Sequence, residues 1–208
     1  MKKIILAVLL LLSGFSFAQF SIQLENTRFG IIAGPNYSRV QNAHNPSAAR
    51  VAYYGGVLAL IPIDNDNQFY IQPQVEYLSA GEKGLGSTVY ANNYISVPVY
   101  FKGYFSEAES EFFGFFGPRI GFLIGQNVKN NSNTFYNTDQ GGKANSFDFA
   151  LSGGLGFSYK RKIELNARFD YGISNTFPDM IESKSGDPNT YSRKKQHVLS
   201  VGLSYLFD

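Results

Sequence analysis

The chain contains no cysteine, which excludes a disulfide, a thiol nucleophile, a Cys-ligated metal site and a lipid-modified Cys. Histidine is almost as scarce. His44 and His197 are its whole supply, too few for a histidine-built metal cage. Charge is sparse and nearly balanced, with 18 Lys plus Arg against 16 Asp plus Glu among 208 residues. No basic block or reading helix is present, so nothing supports a nucleic-acid partner. Beyond the leading segment, no apolar run approaches the roughly 20 residues of a membrane-spanning helix. What the chain holds in quantity is glycine, 21 residues, and aromatics, 16%, scattered through its length as in one domain.

The leading segment reads MKKIILAVLLLLSGFSFAQ. Lys2 and Lys3 form a positive start, an unbroken apolar run extends from Ile4 to Leu12, and Ser16-Phe17-Ala18 is a small-x-small site. That is the pattern of a secretory signal peptide over 1–18, cut before Gln19 to leave a domain of 19–208. Its removal takes away two lysines, so the remaining chain is formally neutral.

In the rest of the chain the dominant hydrophobic period is two, the mark of strands with one apolar face. From Arg28, one row is Phe29, Ile31, Ala33, Pro35 and Tyr37, opposed to Gly30, Ile32, Gly34, Asn36 and Ser38. The segment from Val51 is apolar on both faces, and Tyr53, Gly55, Val57, Ala59, Ile61 and Ile63 make its outer row. Further segments start near Phe69, Tyr94 and Glu111. The last three are the clearest: Phe147 to Tyr159, Ile163 to Ile173 and His197 to Phe207 alternate throughout, with Leu151, Leu165, Val201 and Leu203 on the apolar row. Eight strands of about 10 to 15 residues, against an average of five or six in soluble proteins, indicate an eight-stranded antiparallel transmembrane up-and-down β-barrel.

The connections alternate in length. Those at 41–50, 80–93, 127–145 and 175–193 read as long and polar, whereas those at 64–67, 103–110 and 161–162 are shorter. This phase places both termini and the short turns in the periplasm and the long loops outside a Gram-negative cell.

The row opposite the apolar one contains Glu76, Lys102, Arg119, Asp148, Lys160, Glu164, Arg168 and Asp170. An eight-stranded barrel is just wide enough to be filled by side chains. The mixed charges are therefore expected to neutralise one another in a plugged lumen, as a structural network, because an unpaired buried charge is costly. Glycines of this row, Gly117, Gly121, Gly154, Gly156 and Gly202, make room for large neighbours such as Tyr70, Arg119 and Arg168.

VPVYFKGYF around Pro98, GPRIGFLIG around Gly117, FALSGGLGF around Gly154, ARFDYGISN around Asp170 and the closing SVGLSYLF resemble the outer-membrane β-barrel domain of Bacteroidota, the PorT-like or "porin family" barrels. The resemblance spans 19–208 and implies a barrel of OmpA-type or OmpX-type size. It assigns no catalytic, cofactor or metal residue.

The first functional reading is a non-enzymatic structural or interaction barrel that presents its loops at the cell surface. Its partners are outer-membrane lipid, the assembly machinery that reads an aromatic C-terminal strand, and an envelope protein met through the loops. Two alternatives are a narrow passive pore and a lipid-modifying enzyme. The latter needs a Ser and His oriented by a carboxylate, and the odd offset between His197 and Ser200 puts them on opposite strand faces. A soluble barrel holding a hydrophobic ligand would turn its apolar row inward, against the charges of the other row.

Overall fold

The computed structural model describes residues 22–43, 47–84, 88–129, 143–180 and 193–207. The expected signal peptide and His44 lie outside them. Eight strands follow one another: β1 (Arg28–Gln41), β2 (Ala48–Pro62), β3 (Phe69–Lys83), β4 (Val89–Tyr104), β5 (Glu111–Lys129), β6 (Phe147–Tyr159), β7 (Ile163–Gly172) and β8 (Lys195–Leu206). Each pairs antiparallel with its neighbours in sequence, and β8 returns to β1 to close the barrel. Closure leaves no strand edge unpaired, the condition for a sheet to exist in hydrocarbon.

The period of two decides which way each side chain points. Along β7, Ile163, Leu165, Ala167, Phe169 and Tyr171 are exposed on the outer surface, while Glu164, Asn166, Arg168 and Asp170 are buried. Leu155, Phe116 and Leu203 are 63%, 64% and 57% exposed, too apolar to face water in such numbers. The outward row carries no charge over Phe29–Tyr37, Val51–Ile61, Phe69–Tyr77, Ala91–Phe101, Phe112–Ile124, Phe147–Tyr159, Ile163–Tyr171 or Leu199–Tyr205. Ile163 to Tyr171, tilted as barrel strands are, spans roughly 20 Å, close to the height of an outer-membrane apolar band.

The connections differ from the sequence expectation at one end. β3 and β4 continue as paired strands through Ser79↔Asn93 to Lys83↔Val89, so the loop expected at 80–93 shrinks to 84–88. Likewise the 41–50 loop shrinks to 42–47, because β2 begins at Ala48. Beyond the hydrocarbon both faces of a strand meet water or polar loops, and the alternation that betrays a strand fades. Connections 130–146 and 173–194 are long. Ile63, expected on the outer row, is 4% exposed, since the strand ends at Pro62 and the chain turns inward. The backbone N–H groups of Gln23 and Phe207 donate to Pro62 and Phe29, so both described ends share the rim with the three short turns.

Candidate functional site: the closed lumen

The inner row assembles the charges into two groups. Glu76, Lys102, Arg119, Asp148, Glu164, Arg168 and Asp170 are each at most 2% exposed. Nearer the short turns, Lys102 Nζ donates to Glu164 Oε1 and Oε2 at 2.7 and 2.6 Å, and the Tyr104 hydroxyl donates to Oε1 at 2.6 Å. The Lys102 ammonium also lies 4.1 Å from the centre of the Phe113 ring.

Further along the axis runs a chain of alternating sign. Arg168 grips Glu76 with both Nη groups, at 3.0 and 2.9 Å. Its Nε faces Asp170 at 3.1 Å, whose second oxygen lies 3.3 Å from Arg119 Nε. Arg119 Nη2 donates to Asp148 Oδ2 at 2.5 Å, and Ser174 Oγ donates to Oδ1 at 2.8 Å. Residues from β3, β5, β6 and β7 are thereby tied across the lumen. The fork of an arginine suits this role because it binds two carboxylates in fixed planes, where a lysine would act as a point charge.

Lys160 does not belong to this network. It sits in the β6–β7 turn with φ +53° and is exposed. The turn takes it out of the alternation one residue after β6 ends at Tyr159.

Bulk fills the remaining space. Phe113 and Phe115 lie across the barrel wall from Gly156 and Gly154 in register, and a Cβ at either glycine would collide with the ring opposite. Gly202 lies under the Tyr54 hydroxyl, and only Gly121 serves Arg119, whose Nη1 would lie 3.3 Å from an added Cβ. The neighbours that need these glycines are thus chiefly Phe113, Phe115 and Tyr54, rather than Tyr70 and Arg168. A cavity bounded by Gln72, Gln74, Tyr100, Glu164 and Arg168 measures about 10 Å³, room for about one water.

Both ends are also covered, by residues that the pattern of the strands did not reveal. At the short-turn end Arg161 stacks on Tyr104 at 4.4 Å. Its guanidinium donates to the carbonyls of Asn67 and Ser106 and to the Glu111 carboxylate, while Arg28 donates to its carbonyl at 2.7 Å. One side chain thus fastens all three turns, and its carbonyl anchors the first strand. At the loop end Phe177 and Met180 pack with Val40, Ala43 and Ala144 in a second apolar cluster. Thr176 holds this segment down, donating to the Lys194 carbonyl at 2.7 Å and accepting from Asn145 N–H at 2.8 Å. A phenylalanine and a methionine inside a polar connection were the one available signal.

His197 lies on the outer face, its ring 4.8 Å from that of Tyr171, and Ser200 is buried in the lumen. The two are therefore not a catalytic pair. Exposed charge is segregated: among the described residues the loop end shows Arg39, Lys83, Lys129, Lys143 and Arg193 against Asp179. The short-turn end shows Glu25, Asp66, Glu107 and Glu109 against Lys160.

A closed eight-stranded barrel with a charge-free apolar belt is a transmembrane barrel of the outer-membrane class. The chain belongs to the outer membrane protein beta-barrel domain family, whose model matches residues 17–178. Among solved structures it is similar to the Neisserial surface protein A, at 15% identity over 86% of this chain and 97% of that one, with a TM-score of 0.52. Ail, the attachment invasion locus protein of Yersinia pestis, matches at 14% identity over 86% and 98% of the two chains, with a TM-score of 0.45. OprG from Pseudomonas aeruginosa matches at 15% over 91% and 99%, with a TM-score of 0.41. Comparison with curated proteins gives no match.

Proposed function

We propose that this outer-membrane barrel is a non-conducting, non-enzymatic scaffold that presents its loop end to the outside of the cell and keeps both termini in the periplasm. The observation that carries this reading is the lumen: among the described residues, two ion-paired groups, facing aromatic rings and a cover at each end stand across its length. The charges then serve as a structural network that holds the eight strands in one arrangement. Residues 1–18 are removed on export. The resemblance of the strand motifs to the outer-membrane β-barrel domain of Bacteroidota supports an origin among those small barrels, and connections 130–146 and 173–194 are the surface through which it meets an envelope partner.

Planar-bilayer recording of the folded protein tests the closure. No stepwise conductance is expected, whereas reproducible nanosiemens steps would overturn it in favour of the narrow pore. Orientation is tested separately by a cysteine placed at Asn175, which in intact cells should react with a membrane-impermeant maleimide.

A further inference from the structure

The outward row lacks two adjacent side chains near the short turns. Gly103 of β4 and Gly114 of β5 are a register pair, standing between Phe69 of β3 and Leu155 of β6. The notch they leave spans two strands, roughly 10 Å. The rings of Phe69, Phe101 and Phe116 wall it in a continuous row, with centres 5.7 and 5.6 Å apart. Phe105, 69% exposed at the start of the β4–β5 turn, leans back over the floor, where a Cβ on Gly114 would lie 3.4 Å from its ring. The resulting groove measures about 420 Å³. Its lining is apolar, since Tyr104 beneath it turns its hydroxyl inward to Glu164.

An empty notch would forfeit dispersion contacts on every wall, and at the short-turn edge of the charge-free belt the material on hand to fill it is an acyl chain. Beyond the lip, the turn 105–110 carries Glu107 and Glu109, both exposed and both without a hydrogen bond or ion pair among the described residues. Lys160 of the neighbouring turn donates its backbone N–H to Ser110 Oγ at 3.0 Å but directs its ammonium over the Tyr159 ring. Glu111 is occupied by Arg161. A chain seated in the groove therefore brings its headgroup to two unpaired carboxylates. We propose that the groove and this turn together bind one phospholipid whose headgroup ends in a primary amine, with an acyl chain over Gly103 and Gly114 and the ammonium donating to Glu107 or Glu109. A primary ammonium offers N–H donors to a carboxylate, whereas a quaternary one offers none and an anionic headgroup is repelled. Lipid surrounds the whole belt; what sets this place apart is a notch for one chain joined to an acidic turn. That the lipid belongs to the periplasmic leaflet rests on the orientation proposed above.

The test is native mass spectrometry of the folded mature chain released from neutral detergent micelles doped in turn with phosphatidylethanolamine, phosphatidylcholine or phosphatidylglycerol of identical acyl chains. The unaltered chain is expected to retain one phosphatidylethanolamine, about three- to tenfold more readily than either of the others. Glu107→Gln with Glu109→Gln should bring its retention down to that of phosphatidylcholine, and Glu25→Gln with Asp66→Asn, elsewhere on the same rim, should leave it unchanged. Gly114→Leu, which sets a side chain in the groove, should lower retention about tenfold. Equal retention of the three lipids by the unaltered chain, undiminished retention by Gly114→Leu, or equal loss in the Glu25 and Asp66 variant would overturn the site. Displacement of the lipid by millimolar phosphoethanolamine would overturn the part played by the groove and reassign the turn to free amines. Heat-shifted gel migration reports folding of each variant. If Gly114→Leu fails to fold, Gly114→Ala decides, since its Cβ meets nothing closer than 3.4 Å and is expected to lower retention in part. Failure of the whole-cell labelling above, with amine-selective retention intact, would move the lipid to the other leaflet and leave the site standing.

Discussion

At the scale of single residues, Arg168 holds the most connected position in the lumen. It neutralises Glu76 and Asp170 at once and lies 4.7 Å from the Tyr54 ring. Arg168→Met keeps the bulk but leaves two carboxylates without their cation, and the expected loss is about 3 to 5 kcal/mol. Adding Glu76→Gln to that variant should return part of the loss, since one of the stranded charges is gone. Urea titration of the folded, heat-modifiable gel band measures both. The membership of seven of the eight charges in the inner row could be read from alternation alone. Their pairing could not, because the partners lie up to 92 positions apart in the chain and meet only across the closed lumen.

At the scale of elements, the β6–β7 hairpin sets local backbone cost against long-range bonding. Lys160 and Arg161 adopt φ +53° and +50°, the sign that both central residues of a type I′ turn require and that residues with a Cβ resist. Lys160→Asn relieves one of them without removing a long-range side-chain bond, and is expected to stabilise by about 1 kcal/mol. Arg161→Gly relieves the other, yet it abandons Asn67, Ser106 and Glu111, so the net effect should be a loss of about 1 to 3 kcal/mol. Opposite signs at the two central residues of one turn, read by urea midpoint, are the expected outcome. The hairpin was evident from the basic dipeptide between two alternating segments. The part played by Arg161 was not, since the turns it fastens are brought together only by barrel closure.

At the scale of the whole molecule, the cost of a charge on the outer face should depend on depth. Leu203 pairs with Leu165 and Ala33 in mid-belt, and Leu203→Arg should cost roughly 2 to 4 kcal/mol, against about 0 to 1 for Leu199→Arg near the rim. Equal costs measured in vesicles would mean that the belt is misplaced. Strand number, the inner and outer rows and the membrane class follow from a period of two repeated eight times, because water, hydrocarbon and lumen each select side chains one position at a time. Where β3 and β4 end did not follow, since outside the hydrocarbon that selection relaxes on both faces. Nor did the fit of Phe113 against Gly156, the alternating chain from Glu76 to Asp148, or the folding of Phe177 over the loop end. Those contacts join residues distant in the chain, and strand register around a closed ring is what brings them within a few ångströms of one another.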